Sequence, residues 1–383
     1  MANSLLTIDM ITRKSLEILE NNLVISRNCN RQYDDSFAVQ GAKIGSTLRI
    51  RLPDRALVTD GAALQVQDDN EQYTTLSVAS QKHIGINFTS AELTMQLDDF
   101  AERVLKPRIS QLASSIDADV ATAYKSIYNS VGTPGTTPGT SLVLLQAQQK
   151  LNEFATPMSP RYATVNPAAN AGLVEGMKGL FNPTDTVSRQ FKNGMMGTGV
   201  LGFDEINMSQ SIGMHTTGAW GTTITSTGTL STQGQATLPI SFTGSGKTWK
   251  QGDVFTIAGV YAVNPQTRQS TGSLQQFVVT ADLTASSTGT LSISPAIYTA
   301  DHALATVDSF PQATAVVTML GSASTQYAQN LSYHKDAITL ATADLLLPQG
   351  VDMASRQTHN GISMRIVRLY DIDSDRTPGA ADV

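Results

Sequence analysis

Forty-one consecutive residues, from Ile206 to Gly246, contain no Asp, Glu, Lys or Arg. Such a run cannot form a solvated charged helix, and it shows no period of 3.6. It opens a longer region, from about Thr216 to Thr318, in which short apolar runs alternate with turn residues. The runs are QATLPISF, DVFTIAGV, LQQFVVTADL, GTLSISPAI and ATAVVTM, separated by Gly, Pro, Asn and Ser-Thr clusters. That pattern predicts a small all-β barrel or sandwich. At its centre lies WKQGDVFTIAGVYAVNPQT, Trp249 to Thr267: a tight Gly-Asp turn, an apolar strand and an Asn-Pro turn.

The flanks read differently. Half of the chain's charged side chains lie before residue 132. Ile8, Ile11, Leu16, Leu19 and Leu23 predict an amphipathic helix, and RNCNRQYDDSFAVQGAKIG after it reads as an extended arm without a period. STLRIRLP places Leu48, Ile50 and Leu52 on one face, and KHIGINF does the same with Ile84, Ile86 and Phe88. These two strands, with the polar segment Pro53–Tyr73 between them, predict a protruding hairpin. A hairpin alone is marginal in water, so this one needs a packing partner such as another copy of the chain. LDDFAERVL reads as a helix. From Pro107 to Ser130, Ile109, Leu112, Ile116, Val120, Ala123 and Ile127 fall on one stripe of a helix about 36 Å long. It stops at the Gly/Pro linker SVGTPGTTPG. Residues 141–211 read as α/β, with helices in SLVLLQAQQKLNEFA and NAGLVEGMKGLF and a strand in RYATVNP. HKDAITLATADLLLPQG reads as strand-like, GISMRIVRLYDID as a strand, and SDRTPGAADV as a polar mobile tail.

Several function classes fit poorly. The net charge is −6 and no Lys/Arg run occurs, which argues against a nucleic-acid binder acting by bulk electrostatics. One cysteine, Cys29, allows neither an internal disulfide nor a thiolate cluster. The N-terminus lacks a signal-peptide pattern and no apolar run is long enough to span a bilayer, so the expectation is a soluble, cytoplasmically made protein with no membrane partner. TGSGKT (243–248) resembles the end of a phosphate loop, but Ser241 replaces the first glycine and a strand pattern follows. GTGVLG (197–202) has dinucleotide-loop spacing without the strand before or the helix after. His83, His215, His302, His334 and His359 are scattered, so no metal site is expected. The adjacent carboxylates Asp34–Asp35, Asp68–Asp69 and Asp98–Asp99 do not share a face and read as surface or inter-subunit contacts. No catalytic residue and no cofactor are expected.

The order of parts, and the stretches KQGDVFTIAGVYAVNPQT, GVLGFDEINMSQSIG, RYATVNPAANAGL, QLDDFAERVLKPRISQLASSID and RIVRLYDIDSDRTPG, resemble the podophage major capsid proteins with the Hong Kong 97-type fold and an inserted β-domain. The resemblance implies an α+β fold divided into an N-arm (1–41), an E-loop hairpin (42–90), a P-domain with spine helix (91–140) and an A-domain (141–215). An inserted β-barrel (216–318) and a return strand with tail (319–383) complete it. It implies self-assembly into hexamers and pentamers of an icosahedral head in the host cytoplasm. Scaffolding and portal proteins are the expected helpers, and the shell encloses double-stranded DNA without sequence-specific binding. Candidate inter-subunit contacts are Arg49, Arg51 and Arg55 toward a neighbour's Asp98, Asp99 or Glu102, together with Asp68, Asp69 and Arg268. Pro53–Tyr73 contains no lysine, so the covalent cross-link of some members of the fold is not expected. The alternative is a glycan- or cell-binding β-module of a phage tail protein, in which Trp220 and Trp249 would serve as sugar platforms.

Overall fold

The structure, a computed structural model, describes residues 8–31, 47–53, 55–56, 58, 61–62, 66, 72–77, 80–88, 101–176, 198–228, 230–343, 345–351, 353–369 and 377–383. The chain divides into two units: residues 1–53 with 71–120 and 335–383, and residues 54–70 with 121–334.

In the first unit two helices cover one face of a four-stranded antiparallel sheet. The sheet order is Met353–His359, Ile362–Arg368, Thr377–Asp382, His83–Phe88. Its first hairpin turns at Asn360–Gly361, with φ of 48° and 75°, the left-handed pair that a two-residue turn requires and that Asn-Gly supplies at least cost. Ile362, Met364 and Ile366 alternate inward. They meet Ile11, Leu16, Leu19 and Leu23 of or just beyond the helix Ile8–Asn22, and Leu105, Ile109 and Leu112 of the second helix. Burying each such leucine or isoleucine contributes about 1.5–3 kcal/mol, so the helix is held by its stripe and not by its ends.

Four expectations change here. The strand His83–Phe88 does not pair with Thr47–Arg51; the hairpin partner is Tyr73–Ser77, in register from Thr47↔Ser77 to Arg51↔Tyr73. His83–Phe88 alternates cleanly, whereas YTTLS puts Tyr73 and Leu76 on opposite faces, so alternation pointed to the wrong partner. The tail is not loose: Thr377–Asp382 is an inner strand of the sheet, and Ala381 and Asp382 are buried. TPGAAD is a weak strand former, and it forms a strand because two neighbours offer it hydrogen bonds on both sides. HKDAITLATADLLLPQG forms a 3₁₀ turn at Lys335–Ala337 and one bridge at Thr339, not a strand. The long helix is composite: a π-turn Ala101–Leu105, an α-helix Lys106–Ala121, then a 3₁₀ turn Thr122–Ser126. Pro107 falls in the first turn of the α-segment, where its missing N–H costs least.

The second unit contains a small α/β sheet in the order Leu331–His334, Arg161–Val165, Phe203–Met208, Thr198–Val200. The helices Ser141–Glu153 and Pro167–Gly176 share its core through Leu144, Ala147, Ala169 and Leu173. Gly172 and Gly176 are one helical turn apart, and a Cβ on them would lie 2.6 Å from the Pro138 carbonyl oxygen and 1.9 Å from that of Gly139. The glycines therefore let the helix lie directly on the Gly/Pro linker. Within GTGVLG, Leu201 and Gly202 make the turn between the strands Thr198–Val200 and Phe203–Met208, with φ of 55° and 77°.

The same unit contains the β-domain, as expected. Its six-stranded sheet runs Val317–Met319, Val254–Val263, Ser270–Val279, Thr288–Ile297, Gln235–Thr243, Thr222–Ser226. The outer strands nearly close it: Ser226 N donates to Ala315 O at 2.9 Å, Thr314 N donates to Ser226 O at 2.9 Å, and Thr225 bridges Val316. Inside, Phe255 stacks on Phe277 with centroids 5.7 Å apart, and Trp249 meets Phe242 edge-on at 4.7 Å. TGSGKT is the turn into the strand Lys247–Trp249, with no helix after it.

Candidate subunit interface

Three places in the structure gather charged and polar side chains, the first exposed and the other two largely buried. The first is the hairpin. Thr47, Arg49, Arg51, Tyr73, Thr75 and Ser77 are exposed on one face of a two-stranded ribbon, and Thr74 is exposed on the other, where Ile50 and Leu76 are half-buried. Leu52 continues the pairing, its N–H donating to Gln72 O at 2.8 Å, while its side chain stays exposed. The guanidinium of Arg49 lies 5.0 Å from the Tyr73 ring centroid, a cation–π contact that holds the arginine extended along the ribbon. Val58 and Val66, beyond the strands, are 90% and 84% exposed. A ribbon of this kind gains little from burial within its own chain.

The second is the start of the arm. Asp117, 2% exposed, accepts hydrogen bonds from Val24 N at 2.7 Å, Ile25 N at 3.4 Å, Ser26 N at 3.0 Å and Ser26 Oγ at 2.6 Å. These N–H groups lie past the end of the first helix and lead into the 3₁₀ turn Ser26–Asn28, and one carboxylate satisfies them together. Arg31 then bonds Ser26 O and Asn360 O, and Asn30 Nδ2 reaches Asp336 at 2.7 Å. Cys29 is buried between these groups; burial pushes its thiol pKa up to about 12, and Sγ donates to Ile25 O. Burial and the raised pKa both disfavour the reactive thiolate.

The third lies on the barrel. Asp253 Oδ1 meets His215 Nε2 at 2.9 Å, and His215 Nδ1 meets the Tyr124 hydroxyl at 3.2 Å. Asp253 Oδ2 accepts from Lys250 N at 2.8 Å and Gly218 N at 3.1 Å. The recess in front, about 420 Å³, is lined by Tyr124, Lys125, Met214, Thr216, Lys250, Gln251 and Asp282. Carboxylate, imidazole and hydroxyl in a row resemble a proton relay. The Tyr124 hydroxyl, however, is pushed up in pKa by burial and then by Asp253, which holds its proton rather than releasing it. Sequence reading missed this trio because its members are 38 and 91 residues apart.

Of the sequence-predicted contacts, Arg49, Arg51 and Arg55 are exposed, as is Glu102 on the π-turn. Asp68, Asp69, Asp98 and Asp99 lie outside the described residues. Arg268, half-buried, donates through Nη2 to Ala56 O at 2.9 Å, within its own chain. Trp249 is fully buried and Trp220 packs against the barrel core, so neither offers a free ring face of the kind a sugar platform uses.

A family model described as "P22 coat protein - gene protein 5" matches residues 1–378. The chain belongs to the P22 coat protein family. It is a phage major capsid protein, with a nearly closed β-barrel sheet in a mixed α+β fold. Among solved structures, the chain is similar to the CUS-3 coat protein I-domain, with 29% identity over 26% of this chain and 96% of that one and a TM-score of 0.21. It is similar to a chain of Mycobacterium phage Che8, with 14% identity over 71% of this chain and 88% of that one and a TM-score of 0.36. A third is the capsid structure of the cyanophage P-SCSP1u, with 12% identity, 66% and 81% coverage and a TM-score of 0.30. No curated protein matches the chain.

Proposed function

We propose that this protein assembles in the host cytoplasm into an icosahedral head of hexamers and pentamers that encloses double-stranded DNA, with scaffolding and portal proteins as helpers. The observation that carries the reading is the ribbon Thr47–Arg51 with Tyr73–Ser77, exposed along the whole face that carries Arg49 and Arg51, in a chain of a coat-protein family. In this reading residues 1–41 are the N-arm, 42–90 the E-loop, 91–140 the P-domain, 141–215 the A-domain, 216–318 the inserted barrel, and 319–383 the return. The ribbon and arm bury their apolar atoms on neighbouring copies. Arg49, Arg51 and Arg55 pair with a neighbour's Asp98, Asp99 or Glu102, and Asp68 and Asp69 serve as acidic counterparts at the hairpin tip. Exposed pairs are each worth under about 1 kcal/mol, so repetition around a shell gives them their weight. Arg268 has the weakest claim as an inter-subunit contact, because its guanidinium is already used within the chain.

The test is electron microscopy of the purified full chain, expressed with and without its scaffolding protein. Closed shells or capsomer-sized rings are expected. A monomer under both conditions overturns the reading and turns attention to glycan-binding screens of the barrel.

A further inference from the structure

The barrel joins the rest of its unit through two short strands. The chain enters by Met214–Thr216 and leaves by Gln326–Ala328, and these pair antiparallel from Met214↔Ala328 to Thr216↔Gln326. A two-stranded ribbon of three residues a side is by itself a weak joint. Yet His215, its middle residue, is fixed from both sides: to Asp253 of the barrel and to Tyr124 of the turn Thr122–Ser126. Every side-chain nitrogen and oxygen of His215 and Asp253 has a partner, and both residues are buried. A fully satisfied buried network rigidifies, because any rotation leaves polar groups unpaired in a low dielectric. Two further contacts lie between the same parts. The Gln276 amide both accepts from Ser130 N at 2.8 Å and donates to Ser130 O at 3.0 Å, and Asn264 Nδ2 donates to Glu153 O at 2.7 Å.

We infer that Tyr124, His215 and Asp253 form a latch that fixes the inserted barrel on its neck, so that the barrel and the α/β sheet of the same unit move and melt as one piece. The latch acts at one point on three segments: the turn after the long helix, the neck ribbon and the Gly-Asp turn of the barrel. Gly252 fits this role, with φ of 101°, where a side chain is strained, and a tight 3.1 Å from the position of an added Cβ to His215 Cε1. The glycine lets the barrel turn pack directly against the latch.

The test uses the full unassembled chain, with Tyr124→Phe alone and with Tyr124→Phe combined with Gln276→Ala. Phenylalanine keeps the edge-on ring packing on His215, at 5.4 Å between centroids, and removes only the hydroxyl. Amide exchange is read across residues 214–216 and 326–328, and calorimetry reads the number of unfolding transitions. The wild type is expected to melt barrel and sheet together. Tyr124→Phe is expected to speed neck exchange by about tenfold, the size of one hydrogen bond, and the double variant to split the transition. Wild-type neck protection in Tyr124→Phe overturns the latch, as does a wild type whose barrel already melts separately. If the double variant is insoluble, the exchange result on Tyr124→Phe decides.

Discussion

Asp117 holds Ser26 twice: a single carboxylate oxygen accepts from the serine nitrogen at 3.0 Å and from its hydroxyl at 2.6 Å. The other oxygen takes Val24 N, so a residue of one helix caps the start of the 3₁₀ turn that follows another. Replacing Asp117 with Ala leaves several buried N–H groups without an acceptor. The expected loss is about 3 kcal/mol in chemical denaturation of the unassembled chain, with Asn, which keeps one acceptor oxygen, losing less. A loss below about 0.5 kcal/mol for Ala would contradict the capping role.

The hairpin arginines are expected to act on association and not on folding. Arg51→Glu should slow assembly, followed by light scattering, while leaving the melting temperature unchanged. Raising ionic strength should narrow the gap between variant and wild type, because exposed pairs are screened. Equal assembly rates at low salt would rule out the pairing.

Gly176→Ala is expected to destabilise the chain by about 1–3 kcal/mol or to prevent folding, because its Cβ would meet the Gly139 carbonyl oxygen and backbone cannot yield cheaply. Gly213→Ala, where nothing lies within 4 Å of the added carbon, is the control and should be tolerated. If both behave alike in a thermal melt, the close approach of helix and linker is not what fixes Gly176.

Cys29 supplies a pH prediction. Its thiol pKa rises from 9.0 to about 12, burial being the main cause, with Arg31 opposing and Asp117 adding to it. Between those values the unfolded chain gives up a proton that the folded chain keeps. The stability tied to this group is therefore fully present below pH 9.0 and is lost as pH rises toward about 12. At pH 8 a thiol reagent should react with Cys29 only on unfolding; rapid reaction with the native chain would show that the thiol is not buried.

A boiled denaturing gel of mature particles should show a single coat band and no ladder, since Pro53–Tyr73 has no lysine to form a cross-link.

Much of the fold was legible where local pattern and final environment agree. The barrel strands alternate and are bounded by turn residues, so they announced themselves, and the glycine motifs GTGVLG and TGSGKT were recognisable as turns from what surrounds them. The stripe Ile11, Leu16, Leu19, Leu23 marked the first helix and the face it buries. The long uncharged run marked where one kind of structure gives way to another. The resemblance to capsid proteins rested on several such stretches together.

Other features depend on which segments meet. By its alternation His83–Phe88 looks like the partner for Thr47–Arg51, and only the sheet that claims it leaves that place to Tyr73–Ser77. Thr377–Asp382 is a strand because both its edges are occupied, which no propensity of Thr, Pro, Gly, Ala and Asp would suggest. Asp117 beside Ile116 reads as a polar neighbour on a helix until Ser26 is seen against it. Tyr124, His215 and Asp253 are three unremarkable letters until the neck of the barrel brings them within hydrogen-bonding distance. The sequence by itself determined the first and long helices, the barrel strands and the turns between them, because hydrophobic period and turn chemistry act over a few residues. Strand partnership, the burial of polar side chains and the fixing of the barrel were decided by tertiary structure, because a hydrogen bond between distant residues depends on where the chain carries them.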